Sequence, residues 1–171
     1  MTQIINLNMT YAQALTALFN EYGNVPYPYF EKESYNNLMN EKIAEPIRNF
    51  KNSRTTKDGL FIHHILEDRL PLLSTPEFLF KFKVPFDYQE SKYLVYCNMI
   101  EHFILHMIIG RETNYQLGLP GAQSFIGPEL NEWFVKNKKP TLFWKISCYN
   151  AVENSDYDVP AILKEAEKYY K

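Results

Sequence analysis

The rhythm of apolar and polar positions divides the chain into short segments. From Thr10 to Gly23, the residues Ala12, Leu15, Ala17 and Leu18 roughly follow helical spacing. Thr10 is a good N-cap and Gly23 a stop signal, so the pattern predicts a helix between them. The next stretch, NVPYPYF, holds two prolines too close together for a helix. A weaker helical pattern covers 33–44, before Pro46. GLFIHHI is β-branched and aromatic, bounded by Gly59 and the charged LEDR, and reads as a short strand. Within the long connection that follows, Thr75 and Pro76 predict one or two helical turns. KYLVYC is again strand-like, and Asn98 with Glu101 three positions on has capping-box spacing. A helix is therefore predicted from 99 to about 110 or 112. NYQLGLPGAQSFIGPE, with its glycines and prolines, reads as a loop leading into a helix from Pro128 through Trp133 and Val135. PTLFWKISCYNAV is ambiguous, and DVPAILKEAEKYYK reads as a terminal amphipathic helix.

Composition narrows the class. Apolar residues make up 46% of 171, enough for a globular core in one compact domain. Its expected parts are an N-terminal helical region over 1–53, a core over 54–112 and a C-terminal helical region over 113–171. Thirteen tyrosines and twelve phenylalanines against six glycines imply much buried ring area. No apolar run approaches the ~18 residues of a membrane span, and no secretory signal is visible. Cys97 and Cys148 fit neither a disulfide framework nor a zinc ribbon, so a reduced, cytoplasmic chain is expected. The net charge of −2 argues against wholesale non-specific nucleic-acid binding. One stretch departs from that balance: Lys42, Arg48, Lys51, Arg54 and Lys57 lie close together, as a solvated loop or a phosphate-facing one.

The chemistry concentrates in the histidines. The chain has four, and all lie in two strongly apolar segments: His63 and His64 in the first predicted strand, His102 and His106 in the helix after the second. Spacing of i and i+4 puts His102 and His106 on one helical face. The helix around them is apolar nearly all round, which marks it as buried. Buried imidazoles need partners, and one shared metal ion or backbone carbonyls would satisfy both. On a strand, His63 and His64 point to opposite sides, so one can face the helix and the other a substrate.

Strand, strand and helix, with His-His on the first strand and His-x-x-x-His on the helix, resemble the HNH nucleases, the ββα-metal or His-Me finger family. LVYCNMIEHFILHMII looks like the corresponding segment of phage-type HNH endonucleases, and the histidine spacing is similar to that of colicin-type DNases. The resemblance covers about a third of the chain, roughly 54–112. It implies an α+β fold in which a ββα-metal core sits in a mostly helical domain. It further implies a metal-dependent endonuclease acting on DNA. By that resemblance His63, His102 and His106 would bind one divalent ion (Mg²⁺, Mn²⁺ or Zn²⁺), and His64 would be the general base. Arg54, Lys57 and Arg69 are the cations nearest the first strand in sequence and the expected phosphate contacts, with nucleic acid as partner and no membrane association. Two departures stand out. The family's asparagine, which helps hold the base-bearing loop, falls on Tyr93, and the connection from His64 to Tyr93 is long. Loss of that asparagine favours an alternative, a non-catalytic protein that keeps the finger as a structural or regulatory metal site.

Overall fold

The computed structural model describes residues 3–49 and 54–170. It is an α+β fold, mostly helical, with one two-stranded antiparallel sheet among the described residues. Helix α1 (Tyr11–Tyr22) starts with a full capping box: Gln13 N–H donates to Thr10 Oγ1, and Thr10 N–H donates to Gln13 Oε1. Helix α2 (Lys32–Met39) is shorter than its pattern suggested. The chain turns left-handed at Glu41 (φ 60°), and Lys42 N–H closes onto the Asn37 carbonyl, which ends the helix five residues early. The polar stretch expected as loop forms a short helix, α3 (Arg54–Asp58). Strands β1 (Phe61–His64) and β2 (Leu94–Cys97) pair with Phe61 opposite Cys97 and His64 opposite Leu94. Between them lies α4 (Pro76–Lys81).

Helix α5 (Met99–Glu112) is the centre of the fold, and a capping box between Asn98 and Glu101 opens it. It has no polar face, because α1, β1 and the C-terminal helices cover it on several sides. Ile100, Ile104 and Ile108 are buried, each contributing ~1.5–3 kcal/mol relative to exposure. The core around α5 draws residues from the whole chain, including Ile5 and Leu18, Val95, Trp133, Cys148 and Ala166. Glu101 is fully buried within it, and the hydroxyls of Tyr22 and Tyr157 both donate to its carboxylate. Burial pushes its acidity up to about 7 despite these bonds.

The long connection between the strands builds a second cluster. Leu73, Leu79 and Val84 pack there with Phe30, Tyr35 and Leu38. The expectation of a loop after α5 holds for 114–118 and fails from Leu119 on. Residues 119–135 run as consecutive α and π turns, Leu119–Gly121, Ala122–Ile126, Gly127–Leu130 and Asn131–Val135. The glycines in this stretch mark close approach to α5, not irregular backbone. The ambiguous segment forms the Phe143–Glu153 helix, and the C-terminal pattern forms the Val159–Ala166 helix. No helix among the described residues is long and apolar enough to cross a membrane, and Cys97 and Cys148 are both free and buried.

Candidate metal centre

Strand register and helix pitch bring three histidines together. His63 and His64 end β1, and their side chains leave opposite faces. His63 turns toward α5, with its ring 5.2 Å from that of His102 and 5.4 Å from that of His106, centroid to centroid. His102 and His106, one turn apart, have rings 4.8 Å apart. One nitrogen from each of the three rings lies within 4.8 Å of the others, close enough to hold a metal ion.

Hydrogen bonds fix which nitrogens carry lone pairs. The Tyr11 hydroxyl donates its one proton to the Ile65 carbonyl at 2.9 Å, so its oxygen must accept the bond that joins it to His63 Nε2 at 2.8 Å. His63 is then protonated on Nε2, and its Nδ1 is a bare lone pair. That atom is buried and has no hydrogen-bond partner among the described residues. His106 Nδ1 lies 3.1 Å from the Gly118 carbonyl, an acceptor only, so Nδ1 carries the proton. Its Nε2 lone pair then points inward, 3.2 Å from His102 Nε2. Two imidazoles are therefore held in metal-binding tautomers by outer partners, as ligating histidines are.

Glycines make room for this arrangement. Gly118 has φ +79°, and a Cβ there would stand 2.3 Å from the His106 carbonyl oxygen. At Gly121 a Cβ would meet His106 ring atoms at 2.8 and 2.9 Å. The chain after α5 thus passes directly against His106 and hands it a carbonyl.

Electrostatics keep the cluster neutral. Burial, together with the neighbouring imidazoles, holds His63 and His102 well below the usual histidine range, and burial pushes His106 down to about 4. A carboxylate that the sequence reading missed lies beside the group. Glu67 Oε2 lies 3.5 Å from His106 Nε2 and 3.8 Å from His63 Nδ1. Burial pushes Glu67 up to about 7, with the Leu73 backbone pulling the other way. In sequence Glu67 belongs to the charged run that ends the strand. Its place in the cluster comes from the 3₁₀ turn Ile65–Asp68, which swings it back toward its i−4 neighbour His63.

His64 stands apart from the three. It is 2% exposed, its ring 4.5 Å from that of Tyr29, and its Nε2 lies 2.9 Å from Gln89 Oε1. Burial lowers it to about 4. All four histidines and Glu67 nevertheless line one cavity of about 910 Å³, walled in part by Tyr29, Phe61 and Trp144.

The cations are placed differently from the sequence expectation. Arg54 is tied to Asp58 at 2.6 Å and to the Tyr22 carbonyl at 2.9 Å, with its guanidinium over the Tyr96 ring. Lys57 is exposed on α3, and Arg69 is exposed beside Asp68. None of these three lines the cavity, whereas Arg48 does, with its guanidinium 5.6 Å from the centre of the Tyr29 ring. Pairing of Phe30 with Arg48, and the bond from Tyr29 N–H to the Gln89 carbonyl, hold that corner together. Lys51 lies outside the described residues. Tyr93, at the position of the expected asparagine, sits in the 3₁₀ turn Ser91–Tyr93 with Lys92 over its ring.

No family model, curated protein or solved structure matches the chain.

Proposed function

We propose that the protein is a metal-dependent nuclease that hydrolyses phosphodiester bonds in DNA. The observation that carries this reading is the division of labour across β1: His63 converges with His102 and His106, while adjacent His64 lines the same cavity from the other face of the strand. On this reading β1, β2 and α5 are a ββα-metal core. His63, His102 and His106 would hold a divalent ion, which supplies Lewis-acid stabilisation of charge on the phosphate and leaving oxygen.

The remaining roles belong to side chains. Gln89 Oε1 accepts a hydrogen bond from the protonated His64 Nε2, which leaves Nδ1 as the basic atom of that ring. Depressed basicity keeps His64 neutral at pH 7, the form that accepts a proton from water. An incoming phosphate anion would raise that basicity by direct charge attraction. Gln89 is then a positioning residue, and it answers the departure at Tyr93: an amide still holds the base, but it comes from the connection between the strands. Arg48, which lines the cavity, would receive a phosphate oxygen.

A second reading keeps the metal site without catalysis. The 2% exposure of His64 favours it, since a base must reach its water. One experiment separates the two. Purified protein is incubated with plasmid and single-stranded DNA in Mn²⁺, Zn²⁺, Mg²⁺ or EDTA, alongside His64→Ala and His102→Ala. The nuclease reading expects metal-dependent cleavage, reduced ~10²–10⁴-fold in His64→Ala with metal content kept, and loss of metal in His102→Ala. Stoichiometric metal without cleavage in any condition establishes the non-catalytic reading instead.

A further inference from the structure

We propose that Glu67 is a fourth metal donor, so that the centre is a three-histidine, one-carboxylate site for a first-row transition ion and not for Mg²⁺. The proposal rests on the metal-centre reading above and adds a ligand and a class of metal to it.

Geometry supports the assignment. Donors at about 2.0–2.1 Å from one tetrahedral ion stand about 3.3 Å from each other. The observed separations are 3.2 Å for His102 Nε2 to His106 Nε2, 3.5 Å for Glu67 Oε2 to His106 Nε2 and 3.8 Å for Glu67 Oε2 to His63 Nδ1. The carboxylate is therefore near co-ligand separation from His106 Nε2 and about 0.5 Å beyond it at His63 Nδ1, a gap that a small side-chain adjustment closes. It approaches both on the nitrogens left without a proton by the Tyr11 and Gly118 bonds, so neither offers it a hydrogen. A carboxylate facing two lone pairs at that range needs a cation or a proton between them.

Charge points the same way. Three neutral imidazoles would leave a buried dication uncompensated, and buried charge is costly unless paired. Among the described residues that line the cavity, Glu67 is the one acid, so no other carboxylate there is available for this. Three nitrogens and one oxygen suit Mn²⁺, Fe²⁺, Co²⁺ or Zn²⁺, whereas Mg²⁺ prefers oxygen ligands and keeps several waters.

The test uses Co²⁺ as a spectroscopic probe on full-length protein freed of metal by chelation. Wild type should take up one Co²⁺ with visible ligand-field bands. Glu67→Gln should bind at least ~10²-fold more weakly, beyond the 10–100-fold typical of an outer partner, with altered band positions and intensity. Glu67→Asp should retain part of the affinity. A Glu67→Gln spectrum that overlays the wild type, at an affinity within threefold, overturns the assignment and leaves the three-histidine site standing. Absence of any Co²⁺ uptake by wild type removes the metal centre itself. Competition in wild type needs no variant: a thousandfold excess of Mg²⁺ should leave the Co²⁺ bands unchanged, and their stoichiometric loss would overturn the proposal.

Discussion

Replacing Gln89 with leucine tests how firmly His64 is held. Gln89 is fully buried at the end of the 3₁₀ turn Phe86–Gln89. Its Nε2 donates to the Leu73 carbonyl at 3.0 Å, and a carbonyl has no proton to give, so the amide cannot be flipped. Its Oε1 therefore faces His64 and accepts the Nε2 proton at 2.9 Å. Leucine fills similar space with no polar atom. Two buried groups, the Leu73 carbonyl and the His64 N–H, would lose their partner. At ~1–3 kcal/mol for each stranded group the sum is about 2–6 kcal/mol. Gains from the more apolar side chain place the expected loss in the lower half of that range, at about 2–4 kcal/mol.

Urea denaturation in EDTA measures this as a lower midpoint with an unchanged slope. Nitrogen-detected NMR of the imidazole supplies a readout that simple packing loss would not move. Wild-type His64 should be protonated on Nε2, and Gln89→Leu should show a mixture of tautomers. Destabilisation under about 0.5 kcal/mol, with the tautomer unchanged, would refute the claim that this amide holds the ring.

Two further predictions follow from the same cavity. Gly121→Ala places a methyl at 2.8–2.9 Å from the His106 ring, so metal affinity should fall at least about tenfold although no ligand is replaced, with a stability cost of ~1–3 kcal/mol for overpacking; isothermal titration with Zn²⁺ at wild-type affinity would refute it. His64, lowered by burial to about 4, takes up protons in the unfolded chain first. Its contribution is complete above the unfolded value near 6.5 and is lost as pH falls toward 4, amounting to about 3 kcal/mol. In metal-free protein its NMR resonances should show no titration midpoint above pH 5, and a midpoint near 6.5 would contradict the buried, neutral ring.

What the sequence reveals of this site is what lies within a few residues of itself. Asn98 and Glu101 announce the start of α5, and His102 and His106 share a face, because capping and helical pitch act over three or four positions. Opposite facing of His63 and His64 follows equally from the period of a strand. Partners brought by tertiary packing leave no such trace. Tyr11 reaches His63 from 52 positions away and Gln89 reaches His64 from 25. Arg48 meets the cavity through a bridge to Phe30, while Arg54, nearer in sequence, is held by Asp58 and Tyr22.

The glycine-rich stretch after α5 shows how a correct local rule gives the wrong element. Gly118, Pro120 and Gly121 carry turn chemistry, and a reading by composition makes them loop, which holds at Gly118 and fails at Pro120 and Gly121. Their actual constraint is distance. Gly118 adopts a left-handed conformation that brings its carbonyl to His106 Nδ1, and Gly121 lacks the one carbon that would strike the imidazole. A helix with α and π turns then continues directly from this contact. The same backbone that looks irregular in sequence is what sets the tautomer of His106, and through it the direction of a lone pair toward His102 and Glu67. Substitution at Gly121 therefore discriminates between a spacer and a wall of the candidate metal site: a spacer tolerates a methyl, and a wall transmits it to the His106 ring.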